Sequence, residues 1–116
     1  RLTALLPTLK ERNRYLVSEI IAENKIMDFN LIAKQILESF LKLYGDIGMA
    51  KANVVLLPDK WNKQKQRGII KVNHKYINEL KSSLLFVNRI KNKDIIIRSV
   101  GVSGILKKAQ SKYIAS

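Results

Sequence analysis

A chain of 116 residues with 47% hydrophobic content can bury one core, which excludes a disordered basic tail. The absence of cysteine excludes a disulfide framework and a thiolate zinc site and predicts a reducing, cytoplasmic setting, and no apolar run approaches the roughly 20 residues of a membrane span. Lysine and arginine number 22 against nine acids, a net charge of +13, where solubility needs only about 2–8 units; such an excess is the footprint of a polyanionic partner.

Residues 1–13 lack periodicity, contain Pro7 and read as an extended basic arm. Residues 14–23, rich in Ile, Val and Tyr, predict a strand; Ser18 and Glu19 within it argue against a signal peptide. Residues 28–44 predict a helix, with Ile32, Ile36, Phe40 and Tyr44 on its apolar side and Gly45 placed to end it. Two strands follow, 52–57 and 68–72, joined by a polar connection over 58–67. Asn73 is placed to cap a second helix whose stripe is Ile77, Leu80, Leu84 and Val87, with Leu85 and Phe86 off that stripe. Residues 93–100 predict a fourth strand, and a basic amphipathic helix over 103–113 closes the chain.

This order predicts an α+β fold, a ferredoxin-like split βαβ sandwich (βαββαβ) with an additional C-terminal helix, as one domain over residues 1–116. Two helices cover one face of such a sheet. Runs such as Val54–Leu57 and Ile95–Ile97 put aliphatic groups on both faces, so the second face must be covered as well, by the C-terminal helix, a protein partner, or both.

The charge is patchy. Residues 60–75 carry Lys60, Lys63, Lys65, Arg67, Lys71 and Lys75 with no acid, and residues 89–113 carry seven basic residues against Asp94 alone. A base-stacking RNA platform needs aromatic residues on its central strands, and residues 68–72 have none. Recognition of phosphates and of RNA shape fits this chain better. Trp61, among lysines, could stack on a base or anchor its connection to the domain. The segment Gly101-Val102-Ser103-Gly104 could bring backbone N–H groups to a phosphate, or Ser103 could simply cap the helix that follows. His74 is the only histidine, the acids Asp28, Asp46, Asp59 and Asp94 are far apart, and no Walker loop, dinucleotide fingerprint or nucleophile elbow is present. No catalytic or metal site is predicted.

Four segments, in order, resemble the family of archaeal ribonuclease P protein component 2, the Rpp/Pop small-subunit family. Leu6-Pro7-Thr8-Leu9-Lys10 leading to Asn13-Arg14-Tyr15 is similar to its Leu-Pro-x-Leu-basic run before a basic first strand. Gly45-Asp46-Ile47-Gly48-Met49-Ala50-Lys51 resembles its Gly-x-x-Gly-x-Ala-Lys turn, and Gly68-Ile69-Ile70-Lys71 its Gly-Ile-Ile-basic strand. Arg98-Ser99-Val100-Gly101-Val102-Ser103-Gly104, followed by Lys107 and Lys108, is similar to its Arg-x-x-Gly-Val-Ser-Gly and paired basic residues.

The resemblance implies a noncatalytic subunit of the ribonucleoprotein that removes 5′ leaders from precursor tRNA, in which RNA is the catalyst and holds the magnesium. The protein itself would bind no cofactor. It implies pairing with ribonuclease P protein component 3, two such pairs joining as a heterotetramer, alongside other ribonuclease P proteins, with precursor tRNA as the holoenzyme's substrate and no membrane. On this reading Arg12, Arg14, Lys51, Arg98, Lys107, Lys108 and Lys112 meet RNA phosphates, Gly101, Ser103 and Gly104 admit a phosphate to the backbone, and Leu85 and Phe86 face a protein. A basic ribosomal or other structural RNA-binding protein of ferredoxin-like fold is the alternative. A small ferredoxin-like phosphatase would need a glycine-rich turn before the first helix, and residues 24–28 contain no glycine.

Overall fold

The computed structural model describes residues 12–115. Strand β1 (Asn13–Ala22) is central. It is followed by helix α1 (Phe29–Ala52), the hairpin of β2 (Val55–Asn62) and β3 (Arg67–Asn73), helix α2 (Ile77–Leu85), and the hairpin of β4 (Arg89–Ile90) and β5 (Lys93–Ser103). The sheet runs β2-β3-β1-β5-β4 with every neighbour antiparallel. A short helix α3 (Leu106–Ala109) and a π-helical turn (Gln110–Ile114) complete it. This is the expected ferredoxin-like split βαβ sandwich, with the C-terminal helical segment added. The arm expected over residues 1–13 lies, but for Arg12 and Asn13, outside the described residues.

Several boundaries depart from the sequence reading. Asp28 caps α1 by accepting the Asn30 N–H at 3.0 Å, and Ile32, Ile36 and Phe40 are buried along it. Gly45 does not end this helix. Its φ of 75° kinks it, and the helix resumes to Ala52, ending where left-handed Asn53 donates its N–H to the Met49 carbonyl at 3.0 Å. Residues 52–54 therefore belong to the helix and its exit, and β2 begins at Val55. The expected connection over 58–67 is largely strand. Pro58, which cannot donate to a ladder, is tolerated because β2 is an edge strand and its pairing shifts register between Leu57 and Asn62. Only residues 63–66 remain as a turn, held by the buried Gln66 side chain, whose amide bonds both polar atoms of the Ile26 backbone and the Lys63 carbonyl.

Asn73 does cap, accepting the Lys75 N–H at 2.9 Å, but it caps a 3₁₀ turn (His74–Tyr76) that leads into α2, and α2 itself follows Tyr76 without a side-chain cap. The unexpected β4 is closed by Lys91 and Asn92, both with positive φ, the backbone of a tight two-residue hairpin. β5 runs past its predicted end to Ser103, because Gly101, Val102 and Ser103 pair with Val17, Leu16 and Tyr15 across a bulge in the ladder.

Leu16, Ile20, Ile70, Val72, Ile95 and Ile97 pack the sheet onto Ile32, Ile36 and Phe40 of α1 and Leu80 and Leu84 of α2. On the other face Val17 and Ile69 pack with Ala109 and Ile114, flanked by Tyr15, Leu57, Val100, Leu106 and Tyr113. The expectation of a covered second face holds, and the C-terminal segment is the cover. It leaves the cross-strand pair Ile21 and Ile96 in solvent.

Candidate nucleic-acid interface

The register gathers part of the expected site at one end of the sandwich. Asn13 lies opposite Asn73 and Tyr15 opposite Ser103, so the start of β1, the end of β3 and the end of β5 coincide. Arg14 runs beside Gly104; a Cβ there would stand 3.3 Å from the guanidinium, so the glycine leaves room for it. Arg14 also donates to the Asn13 carbonyl at 3.3 Å. The Arg12 carbonyl accepts the His74 N–H at 2.9 Å, tying the approach to β1 onto the turn after β3. Lys51, exposed in the last turn of α1, precedes Val55, which pairs with Lys71, itself opposite Tyr15. Lys107 and Lys108 are exposed on α3, directly after this end.

Lys71 and Lys75 join this end by strand register, although the sequence reading placed them only within a charge run. Only the alignment of β1 and β3, which sets Lys71 opposite Tyr15 and Asn73 opposite Asn13, brings them to the end where Arg14 lies.

Other expected residues fall elsewhere. Arg98 lies farther along the sheet, its Nε donating to Glu19 at 2.7 Å. Arg67 approaches the same carboxylate at 3.2 Å and donates to the Tyr113 carbonyl at 2.9 Å. Burial raises the Glu19 carboxyl, but the bonds from Arg98 and Arg67 outweigh it and hold its pKa below the ordinary value. The Arg98 side chain remains 58% exposed. Five residues separate Arg14 from Glu19 on β1, about 17 Å at strand rise, so Arg98 stands apart from the end cluster. Lys112 lies near the end of the covering segment, 5.4 Å from the centre of the Tyr113 ring.

The Gly-Val-Ser-Gly segment is mostly strand. A Cβ on Gly101 would collide with the Tyr113 ring, so this glycine lets the cover lie against the sheet. Ser103 accepts the Ile105 N–H at 3.1 Å and donates to the Ile105 carbonyl at 3.0 Å, closing the turn into α3. The residue before α3 is Ile105, with no side-chain cap, and α3 spans only four residues. The pull of a long helix dipole on an anion is therefore missing there.

Trp61 is anchored. Its ring lies 5.6 Å from that of Phe29, and a Cβ on Gly68 would stand 3.0 Å from the indole. Leu85 and Phe86 are the expected exposed pair, 75% and 66% accessible. Phe86 borders a groove of about 640 Å³ with Leu43 and Val87, and Leu85 a groove of about 410 Å³ with Ile97 and Arg98. Among the described residues no group of three potential metal ligands comes together, and no helix is long and apolar enough to cross a membrane.

In fold, the chain is similar to a chain of the cryo-EM structure of yeast ribonuclease MRP, with a TM-score of 0.61 and 13% identity over 81% of this chain and 75% of that one. In sequence, it is 32% identical over 111 residues to ribonuclease P protein component 2 of Thermococcus kodakarensis, covering 96% of this chain and 90% of the relative. The protein of the same name from Pyrococcus abyssi is 30% identical over 115 residues, 99% and 95% of the two chains, and that from Methanocaldococcus jannaschii 32% over 116, 97% and 81%. The profile of the Rpp14/Pop5 family matches residues 14–114, nearly every residue of the fold described above, and the chain belongs to that family.

Proposed function

We propose that this chain is a noncatalytic protein subunit of ribonuclease P, which binds the catalytic RNA and promotes its removal of 5′ leaders from precursor tRNA. The observation that carries the reading is the near full-length similarity to proteins named ribonuclease P protein component 2. The basic end formed by Arg12, Arg14, Lys51, Ser103, Gly104, Lys107 and Lys108 supports it. Cations placed there neutralise closely spaced phosphates, release counterions, and let the RNA fold and hold its magnesium at lower bulk concentration. Arg98, set apart and shared with Glu19, and Lys112 on the cover contribute from the side. Gly101 acts indirectly, by seating the cover that carries Lys107, Lys108 and Lys112.

Leu85 and Phe86 would face a protein, for which component 3 is the partner proposed, as a heterodimer or a heterotetramer of two pairs within a cytoplasmic particle that includes other ribonuclease P proteins. Burying each such side chain favours association by about 1.5–3 kcal/mol.

Reconstitution tests the reading. The purified chain leaves precursor tRNA intact, and with its partner and the catalytic RNA it restores cleavage at moderate magnesium. Changing Lys107, Lys108 and Lys112 to Ala flattens the log–log salt dependence of RNA binding by about 2–3 and leaves the fold intact. Leader removal by RNA-free protein, or an unchanged salt slope, counts against it.

A further inference from the structure

The covering segment starts at the basic end and finishes on the β2–β3 hairpin. There Asn62 donates to the Ile114 carbonyl at 3.2 Å and Arg67 to the Tyr113 carbonyl at 2.9 Å. Where the two meet, an open groove of about 400 Å³ is lined by Lys60, Lys63 and the amides of Asn62, Gln64 and Gln110. Lys65 belongs to the same turn. The one acid on the groove, Asp59, is well exposed and stands 3.9 Å from Lys60, while no acid among the described residues pairs with Lys63 or Lys65. The turn is also held in place before any ligand arrives. The Asn62 side chain accepts the N–H groups of Gln64 and Lys65 at 3.0 Å, and buried Gln66 clamps the far side. Ordering these lysines on a ligand therefore costs side-chain entropy but little backbone entropy.

We propose that the groove between the β2–β3 hairpin and the C-terminal segment is a second RNA-backbone site. With Lys107 and Lys108 it makes one track of phosphate contacts from the end of β5 to the hairpin tip. The inference rests on the RNA-binding reading above and extends it to residues that neither the family resemblance nor the fold likeness assigns. The track is at least about 17 Å long, the strand length from the Arg14 level to Arg67 with the turn beyond it, so it spans several phosphates. Lysines and neutral amides with a single acid suit phosphate and ribose oxygens. Trp61 is occupied with Phe29 and Gly68, so the groove reads backbone rather than stacked bases.

The test uses the full chain and transcribed ribonuclease P RNA, with binding measured across a salt series and backbone protection read by hydroxyl-radical cleavage. The variant K60Q/K63Q/K65Q is expected to flatten the log–log salt slope by about 2–3 and to expose a backbone segment adjoining the one that K107Q/K108Q exposes. Because Lys60 is partly buried, K63Q/K65Q is measured beside it, with an expected loss of about 1–2 in slope; circular dichroism confirms the fold of both. Trp61→Phe is expected to leave slope and footprint unchanged. If K107Q/K108Q weakens binding while both hairpin variants bind and protect like the wild type, the second site is overturned and the broader reading stands. If the wild-type chain protects no RNA, both fall.

Discussion

Two glycines show how one residue type does different physical work. Gly45 sits at φ 75° and ψ −178°, a region almost reserved for glycine, with nothing within 4 Å of where a Cβ would lie, so Gly45→Ala meets only backbone strain, about 1–3 kcal/mol. Gly101 has an ordinary backbone but faces the Tyr113 ring. Gly101→Ala must push the cover off the sheet, an overpacking cost of about 1–3 kcal/mol. Thermal unfolding of both variants checks this, and Tyr113→Ala combined with Gly101→Ala should recover much of the second loss and none of the first. Glu19 makes a pH prediction. Its pKa is lower in the fold than its ordinary 4.5, so the stability it adds is fully present above that value and fades as pH falls through the folded pKa. Glu19→Gln should cost on the order of 1 kcal/mol at neutral pH, discounted because Arg98 is half exposed, and the difference from wild type should shrink in acid. Denaturant titrations at neutral pH and well below 4.5 measure it; a difference that grows on acidification would exclude the paired-carboxylate account.

At the scale of elements, the C-terminal segment is a structural cover. Ile114→Ala should cost about 2–5 kcal/mol for a buried isoleucine and raise binding of a hydrophobic dye, since Val17 and Ile69 lose their lid. Near-wild-type stability would mean that the segment rests loosely on the sheet. The need for a cover was legible, because Val17 and Ile69 alternate with Leu16 and Ile70 and both sets are aliphatic. The exit of α1 was harder to read. Gly45 carried the signal of a left-handed stop and does take positive φ, but the terminating left-handed residue is Asn53, and local sequence does not rank two such stops. The β2–β3 hairpin was misread because Pro58, Asp59 and the lysines are poor strand formers. An edge strand exposes one side to water and tolerates them. For the site, charge and order were readable, but where each cation falls was not: register sets Lys71 opposite Tyr15 at one end of the sheet and Arg98 opposite Glu19 farther along it, and no local pattern carries that alignment.

For the whole molecule, Leu85 and Phe86 lie on the helix side, while the basic track runs along the end and the covered face. Under the proposed function, this separation would let a protein and an RNA be bound together. L85S/F86S should abolish pairing with component 3 in size-exclusion runs while leaving the salt slope of RNA binding unchanged; loss of both together would place them on one surface. The position of β1 has a different consequence, for the order of synthesis. Among the described strands, the first to leave the ribosome is the middle of the sheet, and its neighbours begin only at Arg67 and Lys93. Tyr15 waits for Ser103, so the β1–β5 ladder closes a loop that spans the rest of the described fold. Such closure makes folding slow relative to local helix formation and keeps Leu16 and Val17 open to wrong partners until β5 has been made. A nascent chain halted before β5 would carry its central strand paired on one side alone, so the sheet is completed only when β5 arrives.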